Sequence, residues 1–263
     1  MSNRAKQPIP AIQDLLGFIE QPLSEDEKIP ITQSEFDKFL SPPAPDICDA
    51  SDLRSLFKIG EPLNHRRLDP ITSAIRQTPF GISGHASESS YISGWDLNIR
   101  FIIEALERSG HSNRNTSEHT ATRNLRPDYN RTLGDKCVLR GEEKGPESLE
   151  DPKEELGSKL EWVYDPAPYV FGTFAPPGFS RLSILISSLT GYYCKGSKMT
   201  LCALIRPVST SRRPVVHDLV TVDLQLTKDR ISNVRRLINL ASLLAPLAEI
   251  IPSSVPEFLI IMR

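Results

Sequence analysis

Residues 126–144 read RPDYNRTLGDKCVLRGEEK, and the reading of this stretch decides the fold. Tyr129 to Leu133 and Cys137 to Lys144 are two strand-like runs, and Gly134-Asp135-Lys136 between them supplies a turn, so the segment is predicted to be a β-hairpin. If the hairpin folds about Asp135, Asp128 lies directly opposite Glu142, with Cβ atoms about 4.5–5.5 Å apart. Alternation puts Glu142 and Lys144 on one face of their strand, about 6.6 Å apart at ~3.3 Å per residue. Two carboxylates so close repel each other unless a cation or a proton lies between them. Mg²⁺, or Mn²⁺ in its place, takes hard oxygen ligands and keeps several waters, which suits such a pair. A metal there would polarise a phosphate oxygen and acidify a bound water, and Lys144 would offset charge on the phosphate or position the attacking water. Asp128, Glu142 and Lys144 are therefore the candidate catalytic residues of a phosphodiesterase, with Asp128 and Glu142 as its metal ligands. The same residues also fit a solvated turn in which Asp128 or Glu142 pairs with Lys144 or Arg140.

The acid-x-Lys triplet alone carries no weight, because a chain of 263 residues with 33 acids is bound to contain some. Three are present: Asp26-x-Lys28, Glu142-x-Lys144 and Asp151-x-Lys153. The first lies in a polar helical segment and the third is explained by helix capping. Only Glu142-x-Lys144 sits on a predicted strand behind a Pro-Asp.

Working outward toward the C-terminus, Asp151, Pro152, Glu154 and Glu155 form a strong helix start. That helix carries Leu156, Leu160 and Val163 and is predicted to stop before Pro166. Strand-like runs follow at Tyr169 to Phe174, Met199 to Ile205 and Val215 to Leu226, then a helix over Asp229 to Leu244 and an apolar strand over Glu257 to Met262. Residues 172–191 interrupt what would otherwise be a clean hairpin, and read either as an ordered loop or as a translated intron.

Toward the N-terminus, the polar stretch Ser109 to Arg126 reads as an exposed loop. Before it, Asp96 is placed to cap a helix running to about Arg108, with Gly110 as its stop. Residues 1–92 look like short helices joined by proline-rich turns: Pro10 to Glu20, Thr32 to Leu40 (with Thr32 or Ser34 as cap), Asp49 to Phe57 and Pro70 to Gln77. This helical, proline-rich appendage reads either as a partner-binding or lid-like region or as a loosely ordered one. The expected fold class is α/β (α+β), a mixed sheet flanked by helices over residues 93–263.

Bulk properties exclude some classes. With a formal net charge of −2, a nucleic-acid partner must be met by a local basic surface. Cys48, Cys137, Cys194 and Cys202 make no CxxC pair and no zinc-like spacing with histidine. No apolar run is long enough to span a bilayer and no secretory signal is visible, so the reading is a protein of the nucleus or cytoplasm, of its own or of a host cell, with no membrane partner. Arg206, Arg212 and Arg213 form a basic cluster that fits either a nucleic-acid backbone or an exposed loop. His111 and His119 lie in the polar loop. Arg230, Arg235 and Arg236 are expected on the wet side of the last helix, and Trp95 and Trp162 are read as packing residues.

Pro127-Asp128 and Glu142-Glu143-Lys144, with the helix before and the helix over Asp151 to Tyr164 after, resemble the PD-(D/E)XK (restriction-endonuclease-like) nucleases. The stretch from Trp95 to Arg263 further resembles the nuclease-like module placed before a protein kinase domain in Crinkler-type effectors of oomycetes and fungi. The resemblance implies a restriction-endonuclease-like core that uses Mg²⁺ to cut DNA or RNA, with Asp128 and Glu142 as ligands and Lys144 as catalytic. It also implies an acid on the first core helix, for which Glu104 is the candidate and Glu107 the alternative. No Leu-Phe-Leu-Ala-Lys-like motif and no kinase signature is found in this sequence, so the alternative is an inactive interaction or regulatory module, with a protein partner bound through the N-terminal region.

Overall fold

A computed structural model describes residues 9–41, 49–60, 65–76, 87–116, 125–160, 188–206 and 213–251. The chain folds as a mixed α/β protein around a six-stranded sheet, with a small two-stranded parallel sheet beside it. In chain order the elements are α1 (Ile12–Ile19), β1 (Ile29–Ile31), α2 (Gln33–Leu40), α3 (Ala50–Leu56), β2 (Phe57–Ile59), α4 (His65–Arg76), α5 (Ser89–Trp95), α6 (Phe101–Leu106), β3 (His111–Asn113), β4 (Tyr129–Leu133), β5 (Lys136–Lys144), α7 (Pro152–Ser158), β6 (Ser188–Lys195), β7 (Lys198–Ile205), β8 (Val215–Asp223) and α8 (Thr227–Ile250). The large sheet runs β3-β4-β5-β6-β7-β8, and every neighbouring pair is antiparallel except β5 and β6. That parallel pair needs a crossover, and α7 lies on it.

The predicted hairpin is present with a correction at its tip. Lys136 belongs to β5, so the turn is the two residues Gly134 and Asp135, with Gly134 at φ +62° where glycine is favoured. A bulge between Arg131 and Thr132 then absorbs one residue. The upper pairs Tyr129↔Gly141, Asn130↔Arg140 and Arg131↔Leu139 therefore keep the register expected from a fold about Asp135.

The helix expected to start at Asp96 begins earlier, because the apolar stripe continues back through the buried Tyr91 and Trp95. Asp96–Arg100 is a π-helical stretch joining α5 to α6, which ends at Leu106. Asp96 is thus internal and free to pair elsewhere. The stretch expected to be an exposed loop contains the edge strand β3, whose side chains are polar. Arg131 anchors it: the guanidinium donates to Ser112 Oγ at 2.9 Å and pairs with Glu107 Oε2 at 2.9 Å.

α8 is longer than expected and packs against α1, α3, α4 and α6 as well as the sheet. Arg230, expected to be wet, is 1% exposed and donates to the carbonyls of Leu224, Gln225 and Ile75. Arg235 and Arg236 are held by Glu20 at 2.9 and 2.7 Å. Arg230 is buried because it lies four and seven residues before Val234 and Leu237, on the apolar face itself, whereas Arg235 and Arg236 are reached by Glu20 at the end of α1. One continuous cluster of buried apolar residues runs from Leu15 and Phe36 through Trp95 and Tyr192 to Leu244.

α4 runs His65–Arg76, so it begins five residues before the expected Pro70, which lies inside it; the local start signals hold at three other helices. Thr32 and Glu35 form a reciprocal capping box at α2, Asp49 caps α3 through Ser51 N, and Asp151 caps α7 with Pro152 in its first turn. Trp95 packs as expected and donates from Nε1 to the Gly196 carbonyl at 2.9 Å. The expectations at Trp162, Val163, Tyr169 to Phe174, His119, Arg212 and Glu257 to Met262 lie outside the described residues. Of residues 172–191, only the last four are described, and they belong to β6.

Candidate functional site

β4 and β5 bring the hairpin acids together. Asp128 lies one residue before β4, next to the pair Tyr129↔Gly141, and its Oδ2 accepts the backbone N–H of Glu143 at 2.8 Å. The Asp128 carboxylate is thereby held against β5 beside Glu142. Alternation sends Glu142 and Lys144 to the face covered by α7, and Gly141 and Glu143 to the opposite face, where Tyr192 lies.

Glu142 is fully buried. Its Oε2 accepts from Lys159 Nζ at 2.7 Å, while its Oε1 has no hydrogen-bond partner among the described residues. Burial, reinforced by the charge of Asp128, pushes the Glu142 carboxyl up to about 8, against the pull of Lys159. A buried ionised carboxylate with an idle oxygen is strongly unfavourable unless a cation or proton meets it.

Lys144 is engaged with other acids. Its ammonium lies 3.0 Å from Glu150 and 3.2 Å from Glu155. Burial works against its charge, but these partners hold its pKa above the ordinary lysine value, and Asp128 contributes in the same sense. Glu155 also lies 2.9 Å from Lys159, so one carboxylate of α7 bridges two amines. A further acid faces the group: Glu88, just before α5, is raised by burial and feels the charges of Lys144 and Asp128. Five carboxylates (Glu88, Asp128, Glu142, Glu150, Glu155) thus surround two ammonium groups.

On the other face a second layer supports the first. Tyr192 donates from its hydroxyl to Glu143 Oε1 at 2.7 Å, and Arg114 Nη1 donates to Glu143 Oε2 at 2.7 Å. Arg114 also pairs with Asp96 at 2.6 Å and donates to the Asp128 carbonyl at 3.5 Å. This chain ties the π-helical stretch, the β3 end and β5 together behind the two acids. Gly141 is required here, since a Cβ would lie 2.2 Å from the Tyr192 ring.

The acids expected from the first core helix are engaged elsewhere. Glu104 accepts from Arg100 Nε at 2.9 Å, and Glu107 holds Arg131 and the N–H groups of Ser109 and Gly110. Glu104, Arg108, His111 and Arg131 line a cavity of about 610 Å³ along β3, which Asp128, Glu142 and Lys144 do not line. Sequence reading missed Lys159, Glu155, Glu88 and Arg114. A signal existed for two of them: Glu155 and Lys159 each precede a residue of the Leu156/Leu160 stripe, so both flank the buried edge of α7.

The residues fit a hard cation in a limited way. Asp128 and the idle Glu142 oxygen could offer two carboxylate ligands, and Mg²⁺ commonly takes one or two carboxylates and completes its shell with water and phosphate. Among the described residues no group of three or more His, Cys, Asp or Glu converges to hold a metal without such help. Also among them, no helix is long and apolar enough to cross a membrane.

Comparison with known proteins gives one relationship of note. The chain is 32% identical over 260 residues to Crinkler effector protein 8 of Phytophthora infestans, an alignment spanning 97% of this chain and 39% of that protein. The chain therefore matches well under half of that relative's length. This agrees with the Crinkler part of the resemblance seen in the sequence. No family model matches the chain, and no solved structure matches it.

Proposed function

We propose that the chain is a Mg²⁺-dependent phosphodiesterase acting on nucleic acid in an effector-like role. The observation that carries this reading is the fully buried Glu142, set beside Asp128 with one carboxylate oxygen unpartnered among the described residues. Similarity to a Crinkler effector supports the effector-like role, and the Asp128/Glu142/Lys144 pattern supports the PD-(D/E)XK reading and, with it, a restriction-endonuclease-like core.

In this reading Asp128 and Glu142 hold the cation, with Mn²⁺ able to replace Mg²⁺. The bound cation supplies Lewis acidity toward a phosphate oxygen and a bound water. Asp128 is kept in place by the Glu143 N–H and by Arg114 behind it. Lys144, poised by Glu150 and Glu155, turns toward the phosphate and offsets charge developing there. The test is cleavage of plasmid DNA, single-stranded DNA and RNA by the purified chain. Cleavage is expected with Mg²⁺ and not with EDTA, and it falls by roughly 10²-fold or more in Asp128→Ala and Lys144→Ala. Cleavage that survives either substitution overturns the assignment.

One observation favours a second reading, a non-catalytic interaction module. Lys144 is already paired with two acids and Lys159 already pairs with Glu142, so each ammonium has a carboxylate partner without a cation. In that reading the outer faces of the N-terminal helices meet a protein partner, and no cation-dependent cleavage is measurable.

A further inference from the structure

Lys159 stands apart from the residues that the acid-x-Lys pattern accounts for. It is the C-cap residue of α7, and its ammonium donates to Glu142 Oε2 at 2.7 Å and to the Arg126 carbonyl at 3.4 Å and is ion-paired with Glu155 Oε2 at 2.9 Å. Glu142 would otherwise be a buried carboxylate beside a second one. A positive charge at this distance is what makes its burial tolerable. Lys159 therefore supplies the positive charge that a divalent cation would also supply at the same carboxylate.

We propose that Lys159 is a built-in competitor for the cation at the Asp128–Glu142 site. The inference rests on the reading of those two acids as cation ligands. A divalent ion bound to Glu142 is repelled by an ammonium on the same carboxylate. Glu155, one helical turn before Lys159 on the same face of α7, already shares the ammonium. The side chain can thus leave Glu142 and remain paired. Lys159 would yield Glu142 to a cation and stay on Glu155, and this exchange would lower the affinity of the site below that of the bare carboxylate pair. Lys144 is the other claimant on Glu155, so the movement also loosens Lys144, the amine needed at the phosphate. The device couples occupancy by the cation to release of the catalytic amine.

The test uses the full chain, with Mn²⁺ as the probe. Its binding is read from loss of the free-ion electron paramagnetic resonance signal at alkaline pH, where the carboxylates are ionised. Lys159→Met removes the charge at nearly constant volume, and Lys159→Gln keeps a donor for Glu142 should the first variant fold poorly. Both are expected to bind Mn²⁺ more tightly than the parent by roughly tenfold or more, and Lys159→Met to melt lower than the parent in EDTA and to regain the loss when Mn²⁺ is added. Asp128→Asn is expected to lose binding. Unchanged or weaker binding in both Lys159 variants, with binding lost in Asp128→Asn, overturns the competitor role and leaves the cation site standing. Absence of binding in the parent and every variant overturns both.

Discussion

Arg131 is 1% exposed and sits between Glu107 and Ser112, with Glu107 also accepting the N–H groups that close α6. Burial works to raise the Glu107 carboxyl, but hydrogen bonds from Ser109 and Arg131 outweigh it and leave the pKa below the ordinary 4.5. A carboxyl lowered by folding stabilises the protein above its unfolded pKa, and that stability fades as pH falls through the folded value. Glu107→Gln is expected to destabilise by about 1–3 kcal/mol at neutral pH, and the gap to the parent should close as pH drops below 4.5, measured by denaturant melts across pH. Gly141→Ala forces a Cβ into the Tyr192 ring and is expected to destabilise by about 1–3 kcal/mol in the same assay. The hairpin acids were legible at this scale because strand alternation is a local rule that needs only a register. Arg114 and Glu88 were not, because each reaches the site from another element and its distance is set by packing.

At the scale of elements, short polar signals read well. Thr32 and Glu35 give α2 its capping box, with Glu35 N donating to Thr32 Oγ1 at 3.2 Å and Thr32 N to Glu35 at 3.0 Å. Thr32→Ala is expected to lower stability by about 1 kcal/mol, seen as a shifted denaturant midpoint without a changed slope. The hairpin register came out right through two compensating local events, a two-residue turn and a one-residue bulge, neither visible in the alternation itself. β3 was missed for a physical reason: an edge strand of His, Ser and Asn has no apolar face to betray it, and it is held by ladder pairing and the Arg131 guanidinium. The π-helical stretch was missed as well, because Asp96 resembles a cap when only the residues after it are weighed.

The whole molecule is organised on α8. Its polar residues Arg230, Asn233 and Asn239 are buried, taken up by backbone carbonyls such as those of Ile75, Asn98 and Ile19. These polar contacts join residues 135 to 220 positions apart, a separation no local pattern encodes. Because Leu15 of α1 belongs to the same apolar cluster as Tyr192 and Leu244, Leu15→Ala is expected to cost about 2–5 kcal/mol. Calorimetry should show one transition, with the whole of it moved to lower temperature. A second transition that stays at the parental temperature would mean that the N-terminal helices melt independently of the sheet.

The central claim, that Asp128 and Glu142 share a divalent cation, is tested most directly by anomalous diffraction from crystals of the full chain grown with Mn²⁺. The account predicts an anomalous peak between the Asp128 and Glu142 carboxylates, with the Lys159 ammonium withdrawn toward Glu155. A map with no peak there, and Lys159 still seated on Glu142 at saturating Mn²⁺, would contradict it.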